Sequence, residues 1–194
     1  HFFGKSKAGL YGDVIEEIDH GVGTIMNELK KNNLDKNTIV VFSSDNGPWL
    51  SFKTHGGSAG LLREGKGMTW EGGHRVPGIF WGADIKPGVI DQIGSTMDLL
   101  PTIVDFTNSE SISDRVIDGV SIKQTLLNHS PSKRDKIIFY REREVYAIRY
   151  GKYKAHFIIK GAYNYPPGSN EKIVLDTPLL FNLDKDPSEK HNIA

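Results

Sequence analysis

The chain has no cysteine. Disulfides, thiolate metal sites and a cysteine nucleophile are therefore excluded from these residues. It has no charge of one sign to spend, because 24 basic and 24 acidic residues cancel. A dedicated nucleic-acid or polyanion binder would normally carry a basic excess, so that class is disfavoured. No apolar run approaches the ~20 residues that a membrane helix needs. There is no internal repeat and no visible signal peptide. The chain opens on His1 rather than methionine, so the missing signal says nothing of compartment. What is present is 38% apolar and 25% charged residues over 194 positions. That composition suits a globular protein with a sizeable core, one domain plus an appendage.

The most informative stretch runs from Thr38 to Gly73. Ile39-Val40-Val41-Phe42 is a continuous β-branched apolar run. It predicts a buried parallel strand covered on both faces. It ends in Ser43-Ser44-Asp45-Asn46-Gly47-Pro48. Taken alone, Asp45-Asn46-Gly47 is a turn. Yet ligands of open α/β sheets bind beyond the carboxyl ends of strands, and Asp45 and Asn46 each offer a side-chain oxygen, the ligand atom of hard cations. Gly56-Gly57-Ser58-Ala59-Gly60 follows, then Arg63, Gly65-Lys66-Gly67, and Glu71-Gly72-Gly73-His74-Arg75 before a second apolar run, Ile79-Phe80-Trp81. Cation ligands at a strand end and a lysine between two glycines suit a small oxyanion held on a metal.

Elsewhere the patterning is simpler. Val14, Ile15, Ile18, Val22, Ile25, Met26 and Leu29 recur at three- and four-residue steps, predicting a helix over 11–33 that packs on the sheet. Glu16, Glu17 and Asp19 early in it and Lys30 and Lys31 late would complement its dipole. Asp98 is placed to cap a short helix with Pro101 in its first turn. From Lys136 the period switches to two. Ile137–Tyr140, Val145–Tyr150 and Tyr153–Ile159 read as antiparallel strands, with a hairpin turn at Gly151-Lys152. Residues 161–176 read as a long polar loop, and Leu179–Leu183 as a last strand. Asn128-His129-Ser130 fits the N-glycosylation triplet. His55, His156 and His191 read as surface or structural residues.

The ordered set Ser44-Asp45-Asn46-Gly47-Pro48, Gly56-Gly57-Ser58-Ala59-Gly60-Leu61-Leu62-Arg63, Gly65-Lys66-Gly67 and Glu71-Gly72-Gly73 resembles the type I, formylglycine-dependent sulfatases, arylsulfatase A-like members above all. Ser95–Thr102 and the ending Asp186-Pro187-Ser188-Glu189-x-x-Asn192 agree. The resemblance covers essentially the whole chain but only the carboxyl-terminal portion of the family's length. It implies an α/β, alkaline-phosphatase-like sulfatase sandwich, here a partial main sheet with flanking helices over 1–134, and a small antiparallel sheet over 135–194. It implies that Asp45 and Asn46 are Ca²⁺ ligands, with Mg²⁺ as the alternative ion. Lys66 would be a sulfate contact and His1 a histidine near the ester oxygen, both catalytic and substrate-binding. The implied partner is a sulfate ester, and the implied compartment lysosomal, secreted or periplasmic. The family's nucleophile motif, Cys or Ser-x-Pro-x-Arg, is not found: around Pro131 the residue two before is His129, and neither Lys133 nor Arg134 falls two after. The formylglycine is expected in a missing amino-terminal part, and this segment alone is expected to be inactive. Two other readings stay open: a non-catalytic binding module of the same fold, and a two-metal phosphodiesterase or phosphonate hydrolase that would draw on His55 and His74.

Overall fold

A computed structural model describes residues 1–82, 84–110, 113–161 and 171–194. Helix α1 spans Gly9–Lys31. A 3-10 turn leads to strand β1, Ile39–Ser43, and a second 3-10 segment, Leu50–His55, follows it. One turn of helix, α2 at Glu71–His74, precedes strand β2, Gly78–Gly82. Helices α3, Leu99–Thr107, and α4, Lys123–Asn128, come next. Strands β3, Lys136–Arg141, β4, Glu144–Tyr150, β5, Tyr153–Ile159, and β6, Ile173–Asn182, complete the chain.

The antiparallel sheet read from the period-two patterning is present, in the order β3-β4-β5-β6. Gly151 makes the β4–β5 turn with φ 52°. Strand β6 starts at Ile173, earlier than expected, so the polar loop read over 161–176 is corrected at its end; residues 162–170 lie outside the described residues. The strand was hidden because Pro178 interrupts its pattern. Proline is tolerated there because β6 is an edge strand, and the register shifts between His156 and Ile158 opposite it.

Three further expectations change. Strand β1 is not parallel: it pairs antiparallel with β2, from Ile39 opposite Gly82 to Ser43 opposite Gly78. Nor is it fully covered, since Val41 and Phe42 are exposed. An apolar run signals that a strand seeks cover, and it carries no information on the direction of its neighbour. Helix α1 does not bury its stripe: Val14, Ile15, Ile18 and Ile25 are exposed, Ile25 at 59%. Because α1 begins at Gly9, its first turn holds no acidic residue, so the expected dipole pairing survives only at Lys30 and Lys31. Asp98 makes no side-chain cap on α3. It completes instead a capping box with Ser95 on the short turn Thr96–Asp98, and its carboxylate is buried against Arg134, which donates from both Nε and Nη2.

The core sits under the second sheet. Met68 and Trp70 pack against Phe181 and Leu183, with Ile159 and Leu179 at the margin. The chain just after Lys66 is thus clamped between its own loop and the β5–β6 face.

Candidate functional site

Asp45 and Asn46 stand just past the end of β1, as the sequence predicts. The Asp45 carboxylate is exposed and has no ion-pair partner among the described residues. Asn46 spends its Nδ2 on the Gly47 carbonyl at 2.9 Å, which leaves its Oδ1 without a hydrogen bond among the described residues. Both line one cleft of about 1400 Å³, together with Gly67, His74, Arg75 and Arg149. The turn behind them is tightly built. Gly47 donates its N–H to the Gly73 carbonyl at 3.0 Å. A Cβ on Gly47 would lie 1.7 Å from the Gly72 oxygen, so no other residue fits. The Glu71-Gly72-Gly73 motif is therefore the backing of the Asp45-Asn46 strand end.

Lys66 is tied to the same structure through its backbone, donating to the Pro48 carbonyl at 2.8 Å. Gly67, at φ 83°, allows the sharp turn that follows it. The Lys66 ammonium lies 5.0 Å from the Trp49 ring centroid. His1 is exposed and meets Phe2 edge-on at 5.0 Å. The segment after it is anchored by Asp13, whose carboxylate accepts from the N–H groups of Gly4, Lys5 and Ser6. Those bonds, Ser6 and Gly4 foremost, hold the Asp13 carboxyl below its ordinary value. The structure thus brings Asp45, Asn46 and the Lys66 backbone together, and among the described residues no hydrogen bond joins His1 to them.

Among the described residues no three His, Cys, Asp or Glu side chains gather as a metal site. A Ca²⁺ ion wants six to eight oxygens. Asp45 and Asn46 offer side-chain oxygens of that kind, from two residues.

Sequence reasoning missed the cluster that holds this loop in place. Glu71 is 2% exposed, and Lys154, His156 and Glu189 are fully buried. Lys154 Nζ lies 3.0 Å from Glu71 Oε1 and 3.2 Å from Glu189 Oε1. Arg149 reaches Glu71 Oε2 at 3.3 Å. Glu189 accepts from the Glu71 N–H at 2.6 Å and from His156 Nε2 at 2.7 Å. Arg63 donates to the Glu189 carbonyl and lies over Trp70, which stacks on His156. Burial pushes the His156 pKa down, although its bond to Glu189 opposes this. Burial alone would raise Glu189, but His156, Lys154 and the Glu71 N–H outweigh it and hold the carboxyl low. The signal was available: Lys154, His156 and Ile158 alternate along β5, so two polar residues share the inward face with an apolar one. The ending motif is explained as well. Asp186 accepts from the Lys190 and His191 N–H groups, Asn192 accepts from Leu180, and Glu189 between them turns inward.

The profile of the Sulfatase family matches residues 2–109, and that of the C-terminal region of aryl-sulfatase matches residues 132–194. The chain belongs to the sulfatase family. Arylsulfatase A of Bos taurus is 38% identical over 99% of this chain and 40% of its own length. N-acetylgalactosamine-6-sulfatase of Mus musculus is also 38% identical, over 100% of this chain and 41% of its own. Among solved structures, the PsFucS1 sulfatase of Pseudoalteromonas sp. superposes with a TM-score of 0.84 at 28% identity, covering 93% of this chain and 38% of that one. Ps i-CgsB in complex with k-i-k-neocarrahexaose gives 0.76 at 30%, covering 97% and 40%. These neighbours place the sulfatase chain in the alkaline-phosphatase-like α/β fold, with the four-stranded antiparallel sheet as its small second sheet. The chain spans about 40% of the length of these curated relatives. No helix among the described residues is long and apolar enough to cross a membrane.

Proposed function

We propose that this chain is the C-terminal part of an arylsulfatase A-like sulfuric ester hydrolase and supplies part of its cation and sulfate site. The observation that carries the reading is the shared backing of the two elements. Gly47 is bonded to Gly73 and Lys66 to Pro48, so the oxygen donors and the lysine loop form one unit. Asp45 and the Asn46 Oδ1 would hold Ca²⁺, which when bound neutralises charge on the sulfate oxygens. Lys66, in the loop bonded to Pro48, would add a positive charge on the same oxyanion, and such preorganised charge is often the largest catalytic contribution. His1 would give a proton to the departing alcohol oxygen. The nucleophile, a formylglycine in this family, would come from outside these residues. The substrate class would be sulfate esters, and the family resemblance implies a lysosomal, secreted or periplasmic compartment.

The test uses the full-length protein and an aryl sulfate. Lys66→Ala and Asp45→Ala should each lower kcat/KM by about 100-fold or more. Ca²⁺ titration by calorimetry should lose its signal in Asp45→Ala and keep it in Lys66→Ala. Residues 1–194 alone should show no turnover. Full activity in both variants, or turnover by the segment alone, would sink the reading.

A further inference from the structure

The segment between the cation ligands and the lysine loop presents two large aromatic side chains outward. Trp49 is 39% exposed and Phe52 53% exposed. Their ring centroids lie 4.4 Å apart with planes inclined by 51°.

The loop that carries them is rigidly closed. Trp49 donates to the Gly56 carbonyl at 2.9 Å, Phe52 to the Trp49 carbonyl and Gly56 to the Lys53 carbonyl, each at 3.0 Å. A Cβ on Gly56 would lie 2.0 Å from the Trp49 oxygen. Lys53 is held at φ 53°, ψ −120°, a strained conformation for a non-glycine residue. Strain kept in a loop that joins two site elements points to a functional shape rather than a merely convenient connection. The Lys66 ammonium sits 5.0 Å over the Trp49 ring, so a sulfate held by Lys66 would carry its organic part across this pair.

We propose that Trp49 and Phe52 form the platform for the alcohol portion of the sulfate ester, and that the alcohol carries a flat carbon face, as an aryl or pyranose ring does. This rests on the reading of Lys66 as a sulfate contact. An aromatic ring recognises such a face by stacking and dispersion, with little dependence on hydrogen-bond pattern. Sulfate and ring are then read by separate groups: Lys66 and the cation hold the charge, and Trp49 and Phe52 select what it is attached to.

The experiment uses the full-length protein, 4-nitrophenyl sulfate, a 6-sulfated monosaccharide, and inorganic sulfate as an inhibitor. In Trp49→Ala/Phe52→Ala, KM for at least one of the two esters should rise about tenfold, with inhibition by inorganic sulfate unchanged. The ester that responds more strongly shows which ring the platform takes. Trp49→Phe/Phe52→Tyr should restore KM. Unchanged KM for both esters would overturn the proposal. So would a parallel weakening of inorganic sulfate, which would mean that the pair only supports the loop. Lys66→Ala separates the two claims: if it leaves sulfate inhibition unchanged, the underlying site reading has failed, whatever the aromatic pair does.

Discussion

The two ends of the molecule are built on opposite terms. Under the second sheet, Met68, Trp70, Phe181 and Leu183 are buried, and each buried charge of the Glu71–Lys154–Glu189 cluster meets an opposite one. At the other end, α1 shows Val14, Ile15, Ile18 and Ile25 to solvent, and among the described residues β1 and β2 have only each other as strand neighbours. The first region closes its own accounts within the chain. The second displays a helix stripe and a strand pair whose cover these described residues do not provide. The candidate site lies at the junction, with its loop held rigidly from the sheet side.

That contrast can be broken most directly at Lys154. Lys154→Met leaves Glu71 and Glu189 buried without their shared cation, and should cost about 3–5 kcal/mol in chemical denaturation. A change on α1, Ile18→Asp, should cost only about 1 kcal/mol in this segment, because its side chain is already 44% exposed and strands no buried charge. Equal losses would erase the distinction between the regions.

Acid should act on the closed region next. His156 has a folded pKa below its ordinary 6.5, so unfolding takes up a proton as pH falls through that range. Its contribution is complete above about pH 6.5 and declines below it. Glu189 lies below its ordinary 4.5, so its contribution is complete above about pH 4.5 and is lost on further acidification. A denaturation series from pH 8 to pH 4 should show stability falling as pH falls, and His156→Gln should flatten the upper part of that slope.

Glu64 offers the smallest and opposite effect. Burial, opposed by Arg63, raises its carboxyl to about 7, and its Oε2 is buried without a partner. The folded state holds this proton more tightly than the unfolded one, so Glu64 costs stability as pH rises from about 4.5 to 7. Glu64→Gln should stabilise by about 1 kcal/mol at pH 8, discounted for partial exposure, and by nothing near pH 4. Amide exchange completes the comparison: β4 and β5 should be protected well beyond α1.

Local patterning settled much of this protein. The helix stripe, the apolar run ending at Asp45, the period-two strands and the Gly151 turn are all short-range signals, and each element exists close to where it was read. That Asp45 and Asn46 follow directly on the end of β1, and that Lys66 sits before a glycine turn, was legible from residue order alone. What only tertiary structure decided was partnership. Periodicity gives a face without naming what covers it, so the antiparallel β1–β2 pairing and the uncovered α1 stripe could not be read from it. Pro178 masked the start of β6, since tolerance of proline depends on that strand lying at an edge. The Glu71–Glu189 link joins residues 118 positions apart, and a charged side chain is buried only when a distant partner offsets its desolvation.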